Sequence, residues 1–396
     1  MLSSSSLSIV RQTLPAVGAA IPEITELFYD KLFADHPELL SHMFNRGNQA
    51  TGAQQQALAG SIAAFATAVV NNPDVQPASL LGRVAHKHAS LGVTADQYEI
   101  VHKYLFAAIA GVLGTAVTPE VASAWDELYW LMARTLIGLE EGLYREAGLD
   151  PGPDWRSWRV VGRREETPQV VSFELVPADG GAAPGFHPGQ YVSVAVPLPD
   201  GARQIRQYSL SSAPERMTRR ITVKRVPGET GPDGEVSTWL HANAGMGDVL
   251  SLSAPFGNAV LDTADDAPLL LASAGIGCTP VMSILDHLAL TGDPRPVTVV
   301  HADLSIGDHA LREQMYRSVH ELAHAEAHVW YERPHPGWPA SYTGWADLSR
   351  VTIANDVQAY VCGPPPFIDA VRAHLTNLGV PRSRIRHELF GPELTP

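Results

Sequence analysis

The chain has 396 residues, of which 45% are hydrophobic and 18% charged, with a formal net charge of −14. That length exceeds what one hydrophobic core fills, so two or three domains are expected. With 28 Lys and Arg against 42 Asp and Glu and no basic run, the sequence argues against a nucleic-acid partner, which needs clustered cations for phosphate contacts.

Other features narrow the class further. No apolar run approaches the roughly 18 uninterrupted residues of a membrane span. The opening "MLSSSSLSIVRQTLP" lacks a basic segment followed by an apolar core, so it does not read as a signal peptide and a cytoplasmic location is expected. The two cysteines, Cys278 and Cys362, lie in separate neighbourhoods and form neither a metal pair nor a disulfide framework. Small molecules are the expected partners.

Up to residue 149 the apolar residues recur at spacings of three and four, which predicts helices. Pro22, Pro73, Pro119 and the segment "GLDPGPDW" (148–155) punctuate this part, and the last marks the first domain boundary. From there to about residue 262 the pattern changes to short alternating strands, "WRVVGRRE", "VVSFELVP", "GQYVSVAVP", "IRQYSLSS", "RITVKRVP" and "DVLSLSAP", separated by Gly and Pro turns. Six such strands predict a small antiparallel β-barrel. From 263 to 396, continuously apolar strands ("APLLLASAG", "PVTVVHAD", "EAHVWYE", "QAYVCGPP") alternate with helices. Strands without polar alternation are buried on both faces, which predicts a doubly wound parallel α/β sheet. The fold class is therefore multidomain, with an all-α domain (1–149), an antiparallel β-barrel (150–262) and an α/β domain (263–396).

The stretch "RVAHKHASLG" holds His86 and His88 two positions apart. Helical spacing aligns His88 with Ala85, Val84 and Leu81 on the buried stripe, while His86 is turned by about 200° toward the opposite side, expected to be solvent. Taken alone, His88 reads as a core histidine bonded to a backbone carbonyl rather than as a ligand. Two further polar groups sit on apolar faces of this domain. Tyr29 lies in the amphipathic run 21–33, and Gln54 shares a stripe with Leu58, Ile62, Phe65 and Val69. Together they suggest a lined pocket.

The segments "ELFYDKLFADHPEL", "MFNRGNQATGAQQQAL" and "RVAHKHASLGVTADQYEIV" resemble the globin domain of flavohemoglobins, and the resemblance continues through the whole chain. It implies an all-α globin domain carrying haem b, with His88 as the axial ligand to iron. Tyr29 and Gln54 would hydrogen-bond bound O2, and Phe44 would wedge the haem. Tyr98 and Glu140 would surround His88, with Glu141 the competitor for the second role. A carboxylate at the far imidazole nitrogen raises ligand basicity, which favours oxygen activation over storage. Lys87 either faces the flavin or is an ordinary solvated charge.

In the barrel, "RQYS" (206–209), "HPGQYV" (187–192) and "GEVSTWLH" (234–241) together resemble the FAD-binding barrel of the ferredoxin reductase superfamily. The resemblance implies Arg206 on the pyrophosphate, Gln207, Tyr208 and Ser209 along the flavin, Tyr191 on the adenosine side, and Val236 and Ser237 under the phosphates at a helix N-terminus. "LLLASAGIGCTP" runs a buried strand into a glycine turn and a helix, and Gly275 and Gly277 would let a phosphate approach backbone N–H groups. "YVCGPPPF" gives a second such turn. The resemblance places Gly275, Gly277, Thr279, Cys362, Gly363 and Pro364 around NAD(P)H, with Glu388 near the flavin edge and Phe390 stacked on the isoalloxazine. Cys278 stands where a polar residue is expected; it either tunes nucleotide affinity or packs. Asp303 after the second strand, with no arginine cluster near it, favours NADH.

The activity the resemblance implies is NO dioxygenation: NO and O2 become nitrate, with electrons passing from NAD(P)H through FAD to haem. The protein would be a monomer that detoxifies NO, and whether a lipid enters the haem pocket is left open. One alternative is a reductase feeding O2 or hydroperoxides, against which Tyr98 and Glu140 count. The other is a haem gas sensor or carrier, which would have no use for a reductase half.

Overall fold

The computed structural model describes residues 1–72, 78–228 and 233–390, so Pro73 lies outside the described residues. Contacts divide the chain into two compact units. The first is Met1–Trp155 with Pro197–Arg206, and the second is Arg156–Val196 with the described residues from Gln207 on.

Among the described residues the first unit has seven α-helices: α1 (Ser4–Asp35), α2 (Pro37–His42), α3 (Arg46–Ala50), α4 (Ala53–Asn71), α5 (Ala78–Leu91), α6 (Ala95–Leu113) and α7 (Pro119–Glu146). Pro22 does not break the chain as its sequence suggests, because α1 runs through both Pro15 and Pro22. An interior proline costs about 3 kcal/mol. Val17, Ile21, Ile24 and Phe28, flanking Pro22, are all buried, and each such burial contributes about 1.5–3 kcal/mol, so packing outweighs the break. The helix ends at Asp35, before His36-Pro37, because the residue preceding a proline is disfavoured in the helical region. Pro119 serves as a start instead, at the first turn of α7, where the Thr118 hydroxyl accepts from Val121 N–H at 3.3 Å.

Helix α1 packs against α4, α6 and α7, and α5 packs on α7, around one apolar core. Among the described residues α6, with the turn after it, is the helix long and apolar enough to cross a membrane. Its Tyr98, Tyr104, Leu105 and Ala108 are buried, and it packs on α1 as a core helix. The segment after α7 folds back onto the corner between α5 and α6. Gly92 has φ +78°, and a Cβ there would collide with Pro153. Within the same unit, Gln204 Nε2 donates to the carbonyls of Leu40 and Ser41 at 3.2 Å each.

The antiparallel sheet comprises β1 (Arg156–Thr167), β2 (Val170–Pro177), β3 (Tyr191–Pro197), β4 (Arg203–Ser209), β5 (Arg219–Lys224) and β6 (Val249–Leu252), in the order β4-β3-β6-β1-β2-β5. An antiparallel bridge between Leu210, just past β4, and Ile221 of β5 joins the two edges, so the sheet closes on itself. Register shifts in β1 at Val160/Gly162 and Glu165/Thr167 are bulges that bend the long strand around the curve. Helix α8 (Glu235–Asn243) crosses between β5 and β6.

The parallel sheet comprises β7 (Leu269–Ala274), β8 (Val297–Asp303), β9 (Ala325–Tyr331), β10 (Gln358–Cys362) and β11 (Ile385–Glu388), in the order β11-β10-β7-β8-β9. Helices α9 (Cys278–Thr291), α10 (Arg312–Glu321) and α11 (Pro365–Asn377) connect them. Leu269 and Leu271 of β7 join one apolar cluster, with α9 and α10, while Leu270 and Ala272 join another, with α11. Both faces are covered, which is why these strands lack polar alternation. The segment "HELFGP" begins on β11, a fifth strand beyond the four that the sequence pattern marks. The order reverses between β7 and β10, so the crevice beyond their carboxyl ends is the topological switch point of the sheet.

Candidate functional site

The helical unit gathers two groups of polar residues into its apolar interior. On α7 the buried positions Leu128, Leu136, Glu140 and Tyr144 follow the helical period, so Glu140 occupies a core position while its neighbour Glu141 is exposed. Glu140 Oε1 lies 2.8 Å from Nδ1 of His88 and accepts the Tyr98 hydroxyl at 2.5 Å. The Tyr98 oxygen is itself 3.0 Å from His88 Nδ1. Burial, and after it the adjacent Glu140 charge, holds the Tyr98 phenol far above the usual tyrosine range, so it stays protonated and donates to the carboxylate. With Nδ1 engaged by the acceptor, the imidazole presents Nε2 as its metal-ligating atom.

Several contacts fix this cluster. The Tyr129 hydroxyl donates to the Tyr98 carbonyl at 2.5 Å, and the Tyr144 hydroxyl donates to the Val93 carbonyl at 3.0 Å, tying down the end of α5. Lys87, next to His88, is half-buried. His86 corrects the expectation of a solvated side chain. It is half-buried, and burial pushes its pKa down to about 4. The 200° turn from His88 does place it on another flank of α5, but that flank is covered too. His102, bonded to Asp126 at 2.7 Å, and His42, bonded to the Glu38 carbonyl at 3.0 Å, are engaged structurally.

The second group surrounds Tyr29, which is 4% exposed. Phe44 packs edge-on against it at 5.8 Å between centroids and against Phe33 at 5.3 Å. Burial pushes the Tyr29 phenol up to about 12, opposed by the side chains of Gln54 and Gln49, which favour its ionised form. Gln49, on the five-residue α3, carries no periodic signal and escapes sequence reasoning. Its amide nitrogen and oxygen, and Oε1 of Gln55, are buried with no hydrogen-bond partner among the described residues. Buried polar atoms without partners mark a place where something other than protein completes the site. An apolar cavity of about 50 Å³ is bordered by Thr25, Ile62, Phe65 and Trp125, and none of these polar groups lines it.

In the barrel, strand alternation puts Arg206 and Tyr208 on one face of β4 and Gln207 and Ser209 on the other. Arg206 Nη1 donates to the Ile205 carbonyl at 2.8 Å and to Gln204 Oε1 at 3.1 Å. Gln207 Nε2 donates to Ser193 Oγ at 3.0 Å, and Ser209 is buried. The Tyr191 backbone pairs with Phe256, its N–H donating at 2.8 Å, and a Cβ on Gly257 would press on the Tyr191 ring. Val236 and Ser237 occupy the first turn of α8, whose N-cap Gly234 offers no side-chain cap. The Ser237 hydroxyl donates to the Gly234 carbonyl at 3.0 Å, so an anion at this turn would meet backbone N–H groups.

At the switch point, the loops after β7 and β10 meet. A Cβ on Gly277 would collide with the Cys362 carbonyl, and one on Gly363 would crowd Ala274 and Phe367. Gly277 thus has a packing reason to be glycine as well, since another backbone presses on it. Gly275, with φ +53°, has open space around it. The Thr279 hydroxyl donates to the Ile276 carbonyl at 3.1 Å, which closes the turn. Cys278 packs: it is 4% exposed and burial pushes its thiol up to about 12. Pro364 is the exposed N-cap of α11, and Glu388 pairs in register with Cys362. Phe390 is exposed. The Asp303 carboxylate turns inward, accepting from Leu304 N–H at 2.8 Å and facing His301 Nε2 at 3.4 Å.

Comparison with known proteins follows the same division. Residues 26–136 match the Globin family model and residues 271–373 match the Oxidoreductase NAD-binding domain. A flavohemoprotein of Rhizobium meliloti is 40% identical, with 100% of this chain and 99% of that protein covered. The chain belongs to the flavohemoprotein family. A flavohemoglobin from Malassezia yamatoensis, solved with bound FAD and heme, superposes with a TM-score of 0.89 at 37% identity, covering 98% of this chain and 100% of that one. The flavohem-like FAD/NAD binding domain of a nitric oxide dioxygenase from Vibrio cholerae covers 61% of this chain and 100% of its own, with a TM-score of 0.56 and 36% identity.

The donor set suits the cofactors of a flavohemoprotein. Among the described residues no group of three or more His, Cys, Asp or Glu side chains could hold a bare metal ion. His88, a single anchored imidazole, suits an iron that brings its remaining ligands in a macrocycle.

Proposed function

We propose that this flavohemoprotein is an NAD(P)H-dependent nitric oxide dioxygenase that turns NO and O2 into nitrate. Each nitrate formed takes up one electron, so one hydride pair serves two turnovers. Bound at these sites, FAD would split the hydride pair of NAD(P)H into single electrons and haem would take them singly to activate O2.

The observation that carries this reading is the carboxylate held on the imidazole. His88 would ligate iron through Nε2, and Glu140, kept in place by Tyr98, draws the Nδ1 proton and makes the ring a stronger donor. A carrier needs reversible binding and gains nothing from that push. On the other side, Tyr29 and Gln54 supply hydrogen-bond donors beside the buried Gln49 amide, and Phe44 packs on the Tyr29 ring. The oxidoreductase NAD-binding domain gives the chain an electron source that a gas sensor has no use for. Gly275 and the loop from Cys362 would take the nucleotide at the switch point, and the first turn of α8 would take the flavin phosphates.

The test is a single turnover. Ferrous, haem-loaded protein equilibrated with O2 and mixed with NO should yield one nitrate per haem. Nitrite, or NO bound without nitrate, would overturn the assignment.

A further inference from the structure

Polar groups on one face of α9 bind that helix to the loop 211–216, which follows β4. Ser283, Asp286 and His287 stand three and four positions apart, so they share a face. The Ser283 hydroxyl donates to the Ser212 carbonyl at 2.8 Å. Asp286 Oδ2 accepts from Ala213 N–H at 2.9 Å and from Arg216 Nε at 3.1 Å, while Oδ1 accepts from Arg216 Nη2 at 2.7 Å. His287 Nδ1 lies 2.8 Å from Glu215 Oε1. Asp286 is 2% exposed, so the pair is shielded on the carboxylate side.

Both partners of this junction lead to a cofactor segment. Helix α9 begins at the turn Gly275–Gly277, and Asp286 sits about 14 Å further along it at roughly 1.5 Å per residue. The loop leaves Ser209 with only Leu210 between them. Apolar packing seats α9 on β7 and α10, but such contact is non-directional. A two-point guanidinium–carboxylate pair fixes orientation as well.

We propose that Asp286 is a positioning residue for hydride transfer, fixing the helix that begins at the nucleotide turn against the loop that leaves the flavin strand. In the reaction it serves, one hydride leaves the nicotinamide of NAD(P)H and joins the flavin, giving NAD(P)+ and flavin reduced by two electrons. Such a transfer needs the reacting atoms about 3–3.5 Å apart, and a misplacement of about 1 Å costs on the order of a hundredfold in rate.

This inference rests on the reading that the turn Gly275–Gly277 holds the nucleotide, and the experiment separates the two. The full-length protein loaded with FAD and haem is compared with Asp286→Asn, Arg216→Met and Gly275→Asp. Flavin reduction by NADH is followed anaerobically by stopped flow over a range of NADH concentrations, and amide exchange across residues 211–216 is followed by mass spectrometry without nucleotide. Asp286→Asn should slow the limiting rate about ten- to a hundredfold while changing the NADH dissociation constant less than about twofold. It should also weaken the charge-transfer absorbance of nicotinamide stacked on flavin and speed exchange in the loop. Gly275→Asp sets a carboxylate where the nucleotide phosphates would approach, in a conformation Asp tolerates, and should raise the NADH dissociation constant about tenfold or more. A wild-type limiting rate in Asp286→Asn, or a rate loss matched by an equal loss of NADH affinity, would overturn the inference and leave the nucleotide reading intact. Wild-type NADH affinity in Gly275→Asp would overturn both. Should Asp286→Asn fail to fold, Arg216→Met changes the half-exposed partner and leaves the Ala213 contact in place. It should slow the limiting rate about three- to tenfold, the effect of one lost hydrogen-bonded partner, and the same outcomes decide the inference.

Discussion

Glu140 Oε1 and His88 Nδ1 stand 2.8 Å apart, with the Tyr98 hydroxyl donating to the same carboxylate oxygen at 2.5 Å. Glu140 is buried, with 4% of its side chain exposed against 30% for His88, so the contact is shielded from water on the carboxylate side. Replacing Glu140 by Gln keeps the shape and removes the charge. Loss of such an outer partner lowers metal affinity or activity about 10- to 100-fold. Glu140→Gln should therefore lower NADH-driven turnover or haem retention by that order, with a weaker iron–histidine stretch in the ferrous resonance Raman spectrum. An unchanged stretch would remove Glu140 from its role.

His88→Ala should purify with flavin and without haem. Of the proposed flavin residues, Gln207, Tyr208 and Ser209 on β4 and Val236 and Ser237 on α8 lie in the second unit, whereas His88 lies on α5 in the first. The ratio of Soret to flavin absorbance checks this. A normal Soret band in the variant would sink the ligand assignment.

Much of this site was legible in the sequence because helices report their buried face by period. His88 aligns with Leu81 and Ala85, both 2% exposed or less, whereas Glu140 entered only through the family resemblance and its alignment with Leu136 and Tyr144 is seen in the structure. Continuous apolar strands likewise announced the covered parallel sheet. What stayed hidden depends on contacts distant in sequence. Pro22 reads as a break because propensity is local, while the packing that overrides it comes from α4, α6 and α7. Gly277 reads as a phosphate glycine because nothing in its own strand reveals that the Cys362 carbonyl lies against it. Gln49 sits on a helix too short to show a period. The stacked pair His301 and His309, with ring centroids 3.9 Å apart and Ser273 Oγ at 2.9 Å from His301, also forms from separated strands and loops.

Gly277→Ala tests the packing explanation. A methyl group there must push apart the loops after β7 and β10, and overpacking of this kind costs about 1–3 kcal/mol. The variant should unfold at lower denaturant in its reductase half and bind NADH more weakly, with the Soret band unaffected. Wild-type stability would restore the simpler phosphate-approach reading.

Cys278 gives a pH dependence. Burial raises its thiol from an ordinary value near 9 to about 12, so the native state holds it neutral while the unfolded chain ionises it. Its contribution is fully present below pH 9 and is lost as pH rises from there toward 12. Cys278→Ser should flatten that alkaline loss in thermal melts. At pH 8 the native protein should react slowly with a thiol reagent, and fast labelling of Cys278 would contradict the buried placement.

Dioxygenase activity is tested most directly by NO consumption in aerated buffer by the haem- and FAD-loaded protein, with and without NADH, with nitrate assayed at the end. Rapid loss of NO that requires NADH is expected, with two nitrates formed per NADH oxidised. NADH oxidation at an unchanged rate in the presence of NO, without nitrate, would contradict that activity.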